Sequence, residues 1–163
     1  MNKIRTILID DESSARQTLR GILERFFPEI KIVGEAATIE ESISLLNSIE
    51  KDLVFLDIEM PFGNSFDILR QLEKIDFEVI FITAHDQYAL DAFKFSAVDY
   101  IIKPVKINDL KNAVEKFKSR TSQHQNSEDL VKVLLDNINA TDHKIVLPTS
   151  HGFSIEKIKN IIR

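Results

Sequence analysis

The sequence predicts a doubly wound α/β domain, a five-stranded parallel sheet with helices on both faces. Two observations carry this. Five short apolar runs, Thr6 to Ile9, Lys31 to Gly34, Leu53 to Leu56, Val79 to Ile82 and Tyr100 to Ile102, alternate with stretches of helical periodicity. The run Leu53-Val54-Phe55-Leu56 is apolar without alternation, the mark of a strand buried on both faces. With 163 residues, 44% of them hydrophobic, the chain can build one well-cored domain and have some length left over.

The elements follow in order. Ser13 or Ser14 is expected to cap a first helix that carries Leu19, Ile22, Leu23 and Phe26 at helical spacing and stops at Pro28. Thr38, with Glu41 three residues on, spells a capping box for a second helix whose inward face is Ile43, Leu45, Leu46 and Ile49. The turn Pro61-Phe62-Gly63-Asn64 leads into a third helix presenting Phe66, Ile68, Leu69 and Leu72. A short fourth helix runs from about Asp86 to Phe93, and Phe93, Phe95, Ala97 and Val98 read as core before they read as interface. The fifth helix starts beyond Pro104, near Lys106 or Asn108, and turns Leu110, Val114 and Phe117 to the sheet.

By Ser119 the domain is complete, which sets its span at residues 1–119. Ser, Thr, Gln, His and Asn then dominate to Asn126, a linker composition. Leu130, Val133, Leu134 and Ile138 mark an amphipathic helix, so residues 120–142 read as a linker containing that helix. Lys144 to Leu147 and Phe153 to Ile155, around the Pro148 to Gly152 turn, read as two short strands within a separate fragment, residues 143–163.

Composition narrows the function classes. The chain has no cysteine, which removes disulfide scaffolds, thiolate zinc sites and thiol catalysis and suits a reducing, cytoplasmic setting. No apolar run approaches the roughly 18 residues of a membrane span, and the N-terminal run meets acids too soon for a signal peptide. A net charge of -5 argues against broad nucleic-acid binding by these residues.

The chemistry gathers at strand ends. Asp10 and Asp11 end the first strand, Asp57 the third, Thr83 the fourth and Lys103 the fifth. With strand order 2-1-3-4-5, the first and third strands are neighbours at the switch point, where ligands bind in such sheets, so Asp10, Asp11 and Asp57 share a pocket. Three carboxylates that close raise one another's pKa values unless a cation joins them, and Mg²⁺ suits such a set. Asp57 can then attack a phosphoryl group, with Lys103 neutralising its oxygens and the Thr83 hydroxyl donating to one of them.

The motifs Ile7-Leu8-Ile9-Asp10-Asp11-Glu12, Phe55-Leu56-Asp57-Ile58-Glu59-Met60-Pro61, Thr83-Ala84 and Asp99-Tyr100-Ile101-Ile102-Lys103-Pro104 together resemble the receiver domain of two-component response regulators, over roughly Lys3 to Ser119. The resemblance implies a flavodoxin-like fold, and the strand order is partly carried over from it. It also implies that Asp57 is the phosphoacceptor and that Asp11, Asp57 and the backbone carbonyl of Glu59 are the direct magnesium ligands, with Asp10 acting mostly through water. Thr83 and Tyr100 match the family's switch pair, Lys103 its phosphate-contacting lysine, and Lys103-Pro104 its usual cis bond. Glu59 and His85 resemble the positions that tune acyl-phosphate hydrolysis. Phe62 and Ser65 depart from the small residues common after the Met-Pro pair.

The segment Thr83 to Phe93 and the tail from Lys144 to Ile162 are similar to receivers joined to LytTR-type DNA-binding domains, of the LytR and AgrA kind. On that likeness the chain would hold only the start of the output domain. The expected partners are a sensor histidine kinase and a second copy, docked through the face from the fourth to the fifth helix after phosphorylation, with DNA reached only through the output domain. Self-phosphorylation and self-dephosphorylation would be its only catalysis. Two rivals stand beside this reading. A magnesium-dependent aspartyl-nucleophile phosphatase shares the sheet, but its nucleophile ends the first strand with a second acid two residues on. A degenerate receiver acting as an interaction module would not need the full set of Asp10, Asp11, Asp57, Thr83 and Lys103. Singly, each residue has a plainer role: capping for the acids and Thr83, packing for Tyr100, and solvent exposure for Glu59 and His85.

Overall fold

A computed structural model describes residues 2–139, 144–149 and 152–157, with side chains described as far as residue 123. Five parallel strands, β1 (Ile4–Ile9), β2 (Ile30–Ala36), β3 (Leu53–Leu56), β4 (Glu78–Thr83) and β5 (Asp99–Ile102), lie in the order β2-β1-β3-β4-β5. The strand beside β1 on each side comes from a separate crossover, which makes the gap between β1 and β3 the switch point of the sheet. Every residue of β3 is at most 1% exposed, as its unbroken apolar run requires. Each such side chain contributes about 1.5–3 kcal/mol on burial.

Alternate residues divide the two faces. Ile7, Ile9, Val54, Leu56, Val79 and Phe81 join Phe66, Ile68 and Leu69 of α3 (Ser65–Gln71) in one cluster. There the Phe66 ring stands 5.2 Å from Phe81 and stacks on Phe95 at 5.1 Å. Leu8, Phe55 and Ile82 point the other way, toward Ala15, Thr18 and Leu19 of α1 (Ser13–Phe26) and Val105. On α4 (Ala89–Lys94), Phe93 is 83% exposed and Leu90 77%, so Phe93 is not core; Val98 is buried. Six residues give too few turns to bury more than the Ala92 face.

Helix starts depart from expectation in instructive ways. α1 begins at Ser13 behind Glu12, and no side chain caps it; instead Asp10 Oδ1 accepts the Glu12 N–H at 2.9 Å, an acid turn formed by the strand end itself. For α2 (Ile39–Ser48), Thr38 Oγ1 accepts from Glu41 N at 3.1 Å, but Glu41 reaches back to Ala37 N rather than to Thr38. The full capping box belongs to α3, where Asn64 and Asp67 exchange both bonds.

The residues after Ser119 are helical: α5 runs unbroken from Ile107 to Asn139. The polar stretch after Ser119 holds neither glycine nor proline, and extending a formed helix adds one hydrogen bond per residue fixed, which outweighs the weak propensities of Ser, Thr and Asn. The chain divides into two compact units after Lys116, within this helix. In the second unit Lys144–Thr149 and Gly152–Lys157 pair antiparallel, from Lys144 opposite Lys157 to Thr149 opposite Gly152. The side chains of Leu130, Val133, Leu134 and Ile138 and the tail beyond Lys157 lie outside the described residues.

Candidate functional site at the strand ends

The ladder of the sheet continues one residue past its strands and thereby sets out the site. Asp57 N donates to Ile9 O at 2.9 Å, Asp10 N to Ala36 O at 3.2 Å and Lys103 N to Thr83 O at 2.8 Å. Buried, hydrogen-bonded backbone thus aims Asp10, Asp57 and Lys103 into the crevice, and Thr83 closes the same row. Asp10 and Asp57 are each 7% exposed and Thr83 is fully buried, while Asp11 is exposed at the rim.

Carboxylate oxygens of Asp10, Asp11 and Asp57 all lie within 4.8 Å of one another. One cation faces two of them: Lys103 Nζ stands 2.8 Å from Asp10 Oδ2 and 3.1 Å from Asp57 Oδ2. Burial, and next the charge of Asp10, push the Asp57 carboxyl above its ordinary 3.8 despite Lys103. Burial alone would lower the Lys103 ammonium, but the hydrogen bond to Asp10 and the charges of Asp57 and Asp10 outweigh it and hold the pKa above 10.5. The Asp57 carboxyl stays raised beside a lysine because burial and the neighbouring Asp10 together outweigh the ion pair. Three acids so placed fit a hard divalent cation of the Mg²⁺ kind.

The surrounding loops complete the frame. Ser65 is fully buried, and its hydroxyl donates to the Asp57 carbonyl, which fixes the turn after β3. The Lys103–Pro104 bond is cis. Phe62 sits at φ 67°, a conformation that favours glycine, with its ring wholly exposed. Thr83 Oγ1 accepts from His85 N at 3.4 Å, and Tyr100, partly buried, donates its hydroxyl to the His85 carbonyl. Burial raises the Tyr100 phenol above 10.0. The Glu59 carboxylate is engaged by His85 and by Tyr88, a residue that sequence reasoning passed over. An apolar cavity of about 280 Å³ runs from Asp57 and Lys103 down between α1 and the sheet.

An acidic pocket at the switch point of a five-stranded flavodoxin-like sheet, faced by one lysine from the last strand, defines a receiver-type signalling domain. The chain belongs to the response regulator receiver domain family, whose sequence pattern matches residues 6–115. It is 33% identical over 161 residues to the sensory transduction protein LytT of Bacillus anthracis, covering 98% of this chain and 64% of that protein. It is 35% identical over 150 residues to the transcriptional regulatory protein BtsR of Salmonella typhi, covering 91% of this chain and 59% of that one. Thus the chain spans less than two thirds of the length of these relatives. Among solved structures it is similar to the response regulator TrrA of Thermotoga maritima, determined in complex with Mg²⁺ and BeF, at 30% identity and TM-score 0.61, over 72% of this chain and 99% of that one. Among the described residues no helix is long and apolar enough to cross a membrane.

Proposed function

We propose that this receiver accepts a phosphoryl group on Asp57 from a sensor histidine kinase and, through the change that follows, controls transcription by a LytTR-type output domain. The observation that carries the reading is the Asp57 carboxylate, raised in pKa yet 3.1 Å from Lys103, inside a cluster of three acids. Asp57 supplies the attacking oxygen. Lys103, already within reach of Asp57, meets the charge on the transferred group, and Thr83 offers its hydroxyl from the neighbouring strand end. Asp10, Asp11, Asp57 and the Glu59 carbonyl would hold Mg²⁺, which when bound neutralises phosphoryl oxygens; the Mg²⁺ in the TrrA complex supports this choice of metal. Tyr100 already bonds the loop after Thr83, so a shift of Thr83 toward a new phosphoryl group reaches the ring through His85.

The output follows from the same parts. Leu90 and Phe93 of α4 and Ile102 of β5 are each exposed, which suits a phosphorylation-dependent homodimer through the face from α4 to α5. Residues 1–119 act as the receiver, 120–142 as a connecting helix and 143–163 as the opening of the DNA-binding domain, in a cytoplasmic protein. The likeness to LytT and BtsR supports that layout.

The test is intact mass after incubation with Mg²⁺ and phosphoramidate or acetyl phosphate. One phosphoryl adduct on the wild type, absent from Asp57→Asn, is expected. No adduct with either donor would sink the reading in favour of an interaction module, and steady turnover of phosphomonoesters would favour a phosphatase.

A further inference from the structure

We infer that Tyr88 is a positioning residue for the Asp57 site: its hydroxyl holds Glu59, and through it His85, so that the phosphoryl group leaves Asp57 slowly. This rests on the reading of Asp57 as phosphoacceptor. Tyr88 OH donates to Glu59 Oε1 at 3.1 Å, and His85 Nε2 lies 2.9 Å from Glu59 Oε2. Both oxygens of one carboxylate are therefore taken by two residues of the segment between β4 and α4, while Glu59 belongs to the segment after β3. Glu59 follows Asp57 by two residues and His85 follows Thr83 by two, so the clasp ties together the two loops that carry Asp57 and Thr83.

Tyr88 is suited to this part because its ring is anchored apart from its hydroxyl. The ring packs against the core cluster, 6.3 Å from Phe66, and the His85 ring meets it edge-on at 6.5 Å. On its other side the same loop is fastened by Tyr100, through the His85 carbonyl. The hydroxyl thus comes to Glu59 from a fixed position and needs little ordering to bond.

Hydrolysis of an aspartyl phosphate brings a water oxygen to phosphorus opposite the Asp57 oxygen. A P–O bond to water forms, the P–O bond to Asp57 breaks with its electron pair returning to the carboxylate, and the water proton passes to solvent. His85 and Glu59 are 43% and 49% exposed, so either would hold water if released. With Oε1 bonded to Tyr88 and Oε2 beside His85 Nε2, the Glu59 carboxylate has both oxygens occupied and is withheld from that water.

The experiment labels the protein with phosphoramidate and Mg²⁺, removes the donor and follows adduct decay by intact mass. Tyr88→Phe, which keeps the ring, is expected to decay about 3- to 10-fold faster, the range set by losing one hydrogen bond to a half-exposed charge. Glu59→Ala decays at least as fast, and the double variant no faster than Glu59→Ala alone, with the thermal midpoint of Tyr88→Phe unchanged. Decay of Tyr88→Phe at the wild-type rate, or single effects that multiply in the double variant, overturns the assignment to Tyr88 while Asp57 stands as acceptor. An adduct that persists in Asp57→Asn, or none in the wild type, overturns both.

Discussion

At the amino ends of β1 and β3, Arg5 and Asp52 meet in a two-pronged pair, Nη2 to Oδ1 at 2.9 Å and Nε to Oδ2 at 3.0 Å, and their backbones bond as well. At the carboxyl ends of the same strands, Asp10 and Asp57 share a single lysine and have Asp11 nearby. The Arg5 hydrogen bond holds Asp52 below its ordinary 3.8, whereas burial holds Asp57 above it. One end satisfies its charge and the other leaves it wanting. The comparison separates an acid that steadies the fold through its partner from an acid whose ionised form is disfavoured by burial, and perturbed acids of the second kind cluster at functional sites.

The sharpest way to break this contrast is at Lys103. Lys103→Ala should slow phosphoramidate labelling of Asp57 by roughly 100-fold or more, the scale of losing one preplaced charge-stabilising donor; a labelling rate within a fewfold of wild type would place the stabilisation elsewhere. Next in size is the metal. If the three acids at the carboxyl end bind a divalent cation, Mg²⁺ should raise the thermal midpoint by several degrees, since ligand at 100 times its Kd contributes about 2.7 kcal/mol. Asp11→Ala should blunt that rise, and no rise at millimolar Mg²⁺ would end the comparison.

Third, in metal-free buffer at neutral pH, Asp57→Asn should stabilise the protein, read as a higher denaturant midpoint. The sign follows from linkage. A carboxyl raised in the fold favours the native state below its unfolded pKa and loses that contribution as pH rises through the folded value. The gain from Asn is therefore full above that window and closes as pH falls through it. The smallest effect belongs to the amino end. Asp52→Asn should lower the midpoint by a degree or two, because the pair is partly solvated. Asp52 is depressed, so its contribution is present above the ordinary carboxylate range and disappears as pH falls below it. Equal shifts for Asp52→Asn at pH 7 and pH 2 would contradict the pairing.

Sequence reasoning located the strands and the strand-end residues because both follow from short-range rules. A buried strand has no polar residue to spare, so Asp10, Asp57, Thr83 and Lys103 stand out at its edge, and the parallel order turns neighbouring ends into one pocket. It did not locate Tyr88. The bond to Glu59 joins side chains 29 positions apart near the surface, and no periodicity records such a meeting. Nor did it foresee the continuity of α5, because polar residues of middling propensity permit a linker and a helix alike. The Asn64 and Asp67 box is legible as a polar cap and an acid three residues on, directly behind the Pro-Phe-Gly turn.

The continuation of the ladder past the ends of β1, β3 and β5 has a consequence for how the molecule opens. The Asp57 amide is bonded to β1, inside the sheet, so it belongs to the last cooperative unit to unfold and should exchange with solvent deuterium only through global opening; the Asp10 amide is bonded to the edge strand β2 and the Lys103 amide follows the edge strand β5, so both should exchange sooner. The Glu59 and His85 loops are held by local bonds, the His85 amide to Thr83 Oγ1 at 3.4 Å, and exchange through local openings. Asp57 and Glu59 therefore sit two residues apart on the chain but differ in how firmly their backbone is held, and the rim can be remodelled without disturbing the carboxylate it surrounds.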